Sequence, residues 1–121
     1  MAKTALVIDD SLTFRQMLTL ALTDAKFTVT EAVNGQDALD KLAGKKVDII
    51  ISDVNMPVMD GITFVKKARA LPQTKTTPIL MLTTESQPEV KAQGKAAGAT
   101  GWIVKPFNAA QLLKVVSDLL P

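Results

Sequence analysis

The 121-residue sequence contains neither cysteine nor histidine, and each absence removes a class of chemistry. Without cysteine the chain forms no disulfide and offers no thiolate to a metal ion. Without histidine it lacks the side chain that most often acts as a general base or metal ligand near neutral pH. Any catalysis must therefore rest on carboxylates, hydroxyls, lysine and a bound cation.

Long apolar runs are also missing, because no stretch approaches the roughly 18 residues needed to span a membrane. Residues 1–4 lead directly into a predicted strand, without the layout of a signal peptide. A hydrophobic fraction of 47% is nevertheless enough for one buried core in a chain of this length. We therefore expect a single domain over residues 1–121, in a soluble cytoplasmic protein.

The net charge of +2 conceals an asymmetry between the two halves of the chain. Residues 1–60 carry nine acids and six bases, whereas residues 61–121 carry three acids and eight bases. Aromatic residues are scarce at 4%, and the bases do not form a dense cluster, so nucleic-acid binding is not expected. Two interpretations remain open: an ordinary solvated face, or a surface that meets an acidic protein partner.

Short runs of Ile, Leu, Met and Val end at polar residues in four places, namely 6–8, 49–51, 79–82 and 103–104. Such runs are too short for helices and are typical of fully buried parallel strands. A fifth segment, at 27–32, alternates polar and apolar residues as an edge strand would.

Five helix signals alternate with these strands. The predicted helices begin after Ser11, at the Asn34-Gly35 turn, after Asp60-Gly61 (ending before Pro72), at Pro88 (ending near Gly98) and after Asn108. Repeated strand–helix units with short loops imply right-handed crossovers and a parallel sheet covered on both faces. We predict an α/β fold with a doubly wound five-stranded parallel sheet in the order 2-1-3-4-5.

Polar fragments follow four of the predicted strands: Asp9-Asp10-Ser11, Asp53 to Pro57, Thr83-Thr84-Glu85 and Lys105-Pro106. In an open parallel sheet the functional crevice lies beyond the carboxyl ends of the strands, so these fragments are expected to meet. Three adjacent carboxylates cannot all ionise comfortably without positive charge between them, and magnesium suits such oxygen ligands. Taken singly, each fragment could instead be a helix cap or a turn.

In these fragments, extended through Val58-Met59-Asp60-Gly61 and Phe107, together with Gly98-Ala99, the sequence resembles the receiver domains of two-component response regulators, and most of all their single-domain chemotaxis members. The likeness covers essentially all 121 residues. It implies a flavodoxin-like fold in which Asp53 is the phosphoacceptor. It also implies a magnesium site formed directly by Asp10 and Asp53, through water by Asp9, and by the backbone carbonyl of Asn55.

The resemblance assigns further roles at the last two strands. Lys105 and the Thr83 hydroxyl would contact the phosphoryl oxygens, with Thr84 as the competing hydroxyl, and the Lys105-Pro106 peptide would be cis. Thr83 and Trp102 would form the switch, although the family usually carries tyrosine or another aromatic residue at position 102. Trp102 is also open to interpretation as an ordinary half-buried residue of the sheet.

The resemblance implies a monomeric switch protein rather than an enzyme that turns over a substrate. A histidine kinase of the CheA type would phosphorylate Asp53, a dedicated phosphatase would be a further possible partner, and the output would be a protein such as the flagellar motor switch. Two alternatives remain: a phosphate-independent adaptor, and a magnesium-dependent phosphatase with Asp53 as nucleophile. The second is disfavoured because Asn55 stands where such an enzyme needs another acid.

Overall fold

The computed structural model describes residues 3–43, 45–54, 56–83 and 88–120. Strands and helices alternate along these ranges. The strands are β1 (Thr4–Ile8), β2 (Thr28–Ala32), β3 (Ile49–Asp53), β4 (Ile79–Thr83) and β5 (Gly101–Val104). The α-helices are α1 (Leu12–Asp24), α2 (Gly35–Leu42), α3 (Gly61–Arg69), α4 (Pro88–Ala97) and α5 (Ala109–Leu119). No helix in the described part of the chain is both long and apolar enough to cross a membrane.

The strands form one parallel sheet in the order β2-β1-β3-β4-β5, which confirms the predicted topology. The strands end at nearly the same height along the sheet, because Ile8 pairs with Ser52 and Asp53 pairs with Leu82. The carboxyl ends of β1, β3, β4 and β5 therefore lie side by side. The sheet thus gathers Asp9, Asp53, Thr83 and Lys105 at one edge.

Side chains of the inner strands alternate between two hydrophobic clusters, one on each face of the sheet. The first cluster joins Leu6, Ile8, Ile50, Ile79 and Met81 to α2 and α3. The second cluster joins Ala5, Val7, Ile49, Ile51, Leu80 and Leu82 to α1 and α5. Burial of β3 and β4 on both faces explains their continuous apolar sequences.

The predicted helix starts are confirmed where side-chain caps form. Asn34 accepts a hydrogen bond from the Asp37 N–H at 2.8 Å, and Asp60 accepts one from the Thr63 N–H at 2.7 Å. Asn108 and Gln111 exchange two such bonds in a capping box. Each cap satisfies backbone donors that the first helical turn leaves unpaired.

Three details differ from the sequence prediction. Strand β2 begins at Thr28 rather than at residue 27, because the Phe27 N–H donates to Leu22 in the turn that closes α1. A 3₁₀-helix at Pro72–Thr74 was not predicted. Helix α3 begins at Gly61 itself, whose N–H donates to the Val54 carbonyl at 2.8 Å.

Candidate functional site

Three aspartates converge at the carboxyl edge of the sheet. Asp9 directly follows β1, Asp53 ends β3, and one carboxylate oxygen from each of Asp9, Asp10 and Asp53 lies within 4.8 Å of the others. Asp9 is fully buried and Asp53 is 7% exposed, whereas Asp10 faces solvent. Two of the three carboxylates are therefore largely removed from water, which makes their charge costly unless it is compensated.

Lys105, immediately after β5, supplies part of that compensation. Its Nζ lies 3.2 Å from Asp9 Oδ2 and 3.3 Å from Asp53 Oδ2. The same ammonium stands 4.1 Å from the centroid of the Phe14 ring, which in turn meets Phe107 edge-on at 5.5 Å. Attraction to the ring face helps to fix the ammonium between the two carboxylates. The Lys105-Pro106 peptide bond is cis, as the resemblance implied.

The backbone around Asp9 is held by α1. Asp9 Oδ1 accepts a hydrogen bond from the Ser11 N–H at 2.9 Å, and the Asp9 carbonyl accepts one from Arg15 Nη1 at 2.8 Å. Arg15 Nε also lies 3.0 Å from Glu31 Oε1 on β2. The guanidinium therefore ties the loop after β1 to both the first helix and the edge strand.

The Asp53 carboxyl lies in a mixed electrostatic environment. Burial raises its pKa, the nearby Asp9 charge adds to the rise, and the Lys105 ammonium opposes it. Asp53 Oδ1 also accepts a hydrogen bond from the Val54 N–H at 2.8 Å. Among the described residues, Lys105 is the cation paired with Asp9 and Asp53. Three carboxylates against one ammonium leave excess negative charge, and the all-oxygen donor set fits a hard divalent cation such as magnesium.

The loop from β3 to α3 approaches the site closely. A side chain at Gly61 would place its Cβ only 2.2 Å from the Asp53 carbonyl oxygen, so only glycine fits there. Earlier in the loop, the Met59 N–H donates to the Pro57 carbonyl at 2.7 Å, and Val58 between them has a φ of 71°. A β-branched residue rarely adopts this conformation, and Val58 is 83% exposed.

The other predicted residues are placed as follows. Thr83 ends β4, is fully buried, and its carbonyl accepts a hydrogen bond from the Lys105 N–H at 2.7 Å. Trp102 is a half-buried residue in β5, paired with Met81. Asn55 and the competing Thr84 lie outside the described residues.

Sequence reasoning overlooked the supporting contacts. It gave Phe14 and Arg15 no role in the site, yet both residues support Asp9 or Lys105. No local motif marks these contacts: Phe14 and Lys105 are far apart in sequence, and the six-residue separation of Asp9 and Arg15 matches no standard capping pattern. The one available hint is that both residues occupy the first turns of a helix that begins beside the acidic pair.

A family model for the response regulator receiver domain matches residues 5–117. The chain belongs to this family. The chemotaxis protein CheY-3 of Vibrio cholerae serotype O1 is 41% identical over 108 residues, which is 88% of this chain and 83% of that protein. The transcriptional regulatory protein ResD of Bacillus subtilis is 36% identical over 115 residues, covering 95% of this chain but 47% of ResD.

Solved structures agree with these relatives. The chemotaxis response regulator CheY4 of Vibrio cholerae is 52% identical, with a TM-score of 0.95, over 99% of this chain and 100% of that chain. This similarity confirms the flavodoxin-like receiver fold with its five parallel strands. The protein is thus a receiver domain closely related to CheY chemotaxis response regulators.

Proposed function

We propose that the protein is a single-domain response regulator in which Asp53 accepts a phosphoryl group from a histidine kinase of a chemotaxis phosphorelay. The observation that carries this proposal is the position of the Asp53 carboxylate. It lies within 4.8 Å of carboxylate oxygens of Asp9 and Asp10 and 3.3 Å from the Lys105 ammonium. A nucleophile, ligands for a cation and a fixed positive charge are thus within reach of one incoming group.

In the proposed reaction, a carboxylate oxygen of Asp53 attacks the phosphorus atom of a phosphohistidine on the kinase. The new P–O bond forms as the P–N bond breaks, and the departing imidazole keeps the electron pair. The product is an acyl phosphate, which water later cleaves to inorganic phosphate and the free carboxylate. Lys105 balances charge on the phosphoryl oxygens throughout, and the Thr83 hydroxyl donates to one of them.

The carboxylates divide between two roles toward Mg²⁺. Both oxygens of Asp9 already have protein partners, Ser11 N–H and Lys105 Nζ, which suits a role through water. Asp10 is exposed, and no described residue pairs with its carboxylate, so it would be a direct ligand. Asp53 would be the second direct ligand, as the resemblance implies, although its oxygens also contact Val54 N–H and Lys105 Nζ. When bound, Mg²⁺ neutralises the carboxylates and the phosphoryl oxygens. The Asn55 carbonyl is the remaining proposed ligand.

The output of the switch is proposed to be binding of an acidic protein segment, with the flagellar motor switch as the favoured target. Lys91 and Lys95 are exposed on α4, and Lys114 is exposed on α5, so these cations flank β5 and Trp102. Such a surface complements negative charge and accelerates encounter with an acidic partner. The proposal treats the protein as monomeric and cytoplasmic, phosphorylated by a CheA-like kinase and open to a dedicated phosphatase. Nucleic acid has no part in it.

Acetyl phosphate with Mg²⁺ tests this proposal directly. We expect mass spectrometry to find one phosphoryl group, on Asp53, that is labile to hydroxylamine as an acyl phosphate is. D53N should prevent the modification, whereas D118N, which removes an exposed acid of α5, should leave it unchanged. Modification of a serine or threonine would contradict the assignment. Absence of modification would favour the phosphate-independent adaptor.

A further inference from the structure

Gly94 is a buried position among exposed neighbours in α4. The flanking residues Ala92, Gln93, Lys95 and Ala96 are all exposed, whereas Gly94 is buried. A Cβ atom at position 94 would lie 2.3 Å from Trp102 Cζ3 and 3.2 Å from Cη2, far closer than ordinary contact. The missing side chain therefore leaves a notch in the helix, and the outer ring of the indole fills it.

The helix itself gives no reason for glycine at this position. Gly94 lies inside α4, outside the positive-φ region that favours glycine. A glycine in a helix interior is less favourable than alanine, because it loses more backbone freedom on folding. Since alanine occupies neighbouring positions of α4, the unfavourable residue at 94 is explained by the ring that packs against it.

Packing, rather than hydrogen bonding, holds the indole in the notch. Trp102 packs against the cluster that contains α2 and α3, and its Nε1 is buried without a partner among the described residues. An unsatisfied buried N–H favours a position in which water could reach it. Two surface grooves, of about 320 Å³ and 340 Å³, are lined in part by Trp102.

We infer that Gly94 is the positioning residue for Trp102, and that the notch in α4 sets the resting position of the indole. The ring cannot shift without leaving the notch, and α4 cannot slide along β5 without displacing the ring. The position of the Trp102 ring and the position of α4 are therefore coupled. Filling the notch requires an indole, because a phenyl ring at position 102 lacks the outer-ring atoms Cζ3 and Cη2 that occupy the notch. Any effect of this coupling on partner binding rests on the proposed function, whereas the packing of Trp102 against Gly94 does not.

Four proteins test the inference: the native chain, G94A, W102F and G94A/W102F. In the native background we expect G94A to lower Tm, shift Trp102 emission to longer wavelength and increase quenching by acrylamide. In the W102F background the same substitution should raise Tm, because alanine favours the helix and no indole is displaced. A96G, at an exposed site of α4, should lower Tm equally in both backgrounds.

An equal effect of G94A on Tm in both backgrounds, or unchanged emission, would overturn the inference. If the G94A protein folds only when Trp102 is also replaced by phenylalanine, the inference is supported. If it folds in neither background, the inference is contradicted. Beryllofluoride with Mg²⁺, standing in for the phosphoryl group, separates the two proposals. If Trp102 emission of the native protein does not change with beryllofluoride, the proposed switch is contradicted. The opposite signs of the G94A effect on Tm in the two backgrounds test only the notch.

Discussion

At the Asp53 carboxylate, the requirements of folding and of chemistry oppose each other. Burial among β-strands raises the pKa of this group, which means that the ionised form is less stable in the folded protein than in water. A buried, ionised oxygen is also a poorly solvated one, and it faces Lys105 at 3.3 Å. The fold thus keeps a destabilising charge at the position where a nucleophile is needed.

Replacing this charge should stabilise the fold in a pH-dependent way. Because the folded-state pKa of Asp53 lies above the unfolded value, the folded protein binds more protons between the two values, and its stability falls as pH rises through them. D53N should remove this loss of stability and so raise the free energy of unfolding at pH 7 in the absence of Mg²⁺. At low pH, where native Asp53 is protonated, the gain should vanish.

Urea unfolding between pH 3 and pH 8 measures this difference. D118N serves as the control, because it removes an acid that is 65% exposed. A D53N protein less stable than the native chain at pH 7, or a gain that does not change with pH, would disprove the expectation.

Among the helices, α1 contributes most to the geometry of the site. Its first turns carry Phe14 under the Lys105 ammonium and Arg15 on the Asp9 carbonyl. Arg15 is only 12% exposed, so its hydrogen bond at 2.8 Å is partly shielded from water. The helix therefore fixes both a carboxylate and the opposing cation, although it contributes no ligand itself.

Substituting Arg15 should weaken Mg²⁺ binding without removing a ligand. In R15Q the loop that carries Asp9 and Asp10 loses its hydrogen bond to the guanidinium. We expect Mg²⁺ affinity to fall by about tenfold, which is typical when a residue that supports metal ligands is replaced. Isothermal titration calorimetry measures the affinity. K41Q is the matched control, because Lys41 also contacts Glu31 on β2, through its carbonyl, but forms its ion pair with Asp37 and not with an acid of the site. Equal affinity in R15Q and native protein would refute the supporting role.

A second arginine anchors the opposite side of the molecule. Arg69, the last residue of α3, donates to the carbonyls of Gly98, Thr74 and Thr77 and to the Thr100 hydroxyl. Burial lowers the pKa of this guanidinium below its usual value. The bond to the Gly98 carbonyl fastens the carboxyl end of α4 to α3, and the others hold the segments that precede β4 and β5.

For the molecule as a whole, binding of Mg²⁺ is linked to folding. The site needs Asp9 and Asp10 from the end of β1 and Asp53 from β3, so it exists only in the folded chain. We expect Mg²⁺ to raise Tm, with a stabilisation of about 2.7 kcal/mol at a concentration one hundred times Kd. Asp10→Asn should abolish this response while leaving the metal-free Tm nearly unchanged, because Asp10 is exposed.

Thermal melts with increasing MgCl₂ provide the measurement. Asp24→Asn, at the exposed carboxyl end of α1, controls for the loss of one negative charge. A native Tm that is independent of Mg²⁺, or a D24N protein that loses the response as D10N does, would count against the site.

Much of this architecture could be predicted from sequence because its signals are local. Apolar runs such as Ile49 to Ile51, each ending at an acid or another polar residue, indicate buried strands whose carboxyl ends meet. Caps such as Asn108 mark helix starts within one residue. The contacts of Lys105 with Phe14 and of Gly94 with Trp102 could not be predicted, because they depend on how separate elements pack in the folded chain. The contact of Arg15 with the Asp9 carbonyl is close in sequence but follows no local motif.

The two hydrophobic clusters have a consequence for how this chain can change in evolution. Trp102 packs into the cluster of α2 and α3, whereas its neighbour Ile103 packs into the cluster of α1 and α5. Because the sheet separates the clusters, a substitution in one cluster couples mainly to neighbours in that same cluster. Residues around α4 can therefore change to suit new partners without disturbing α1, whose contacts position the loop that carries Asp9 and Asp10.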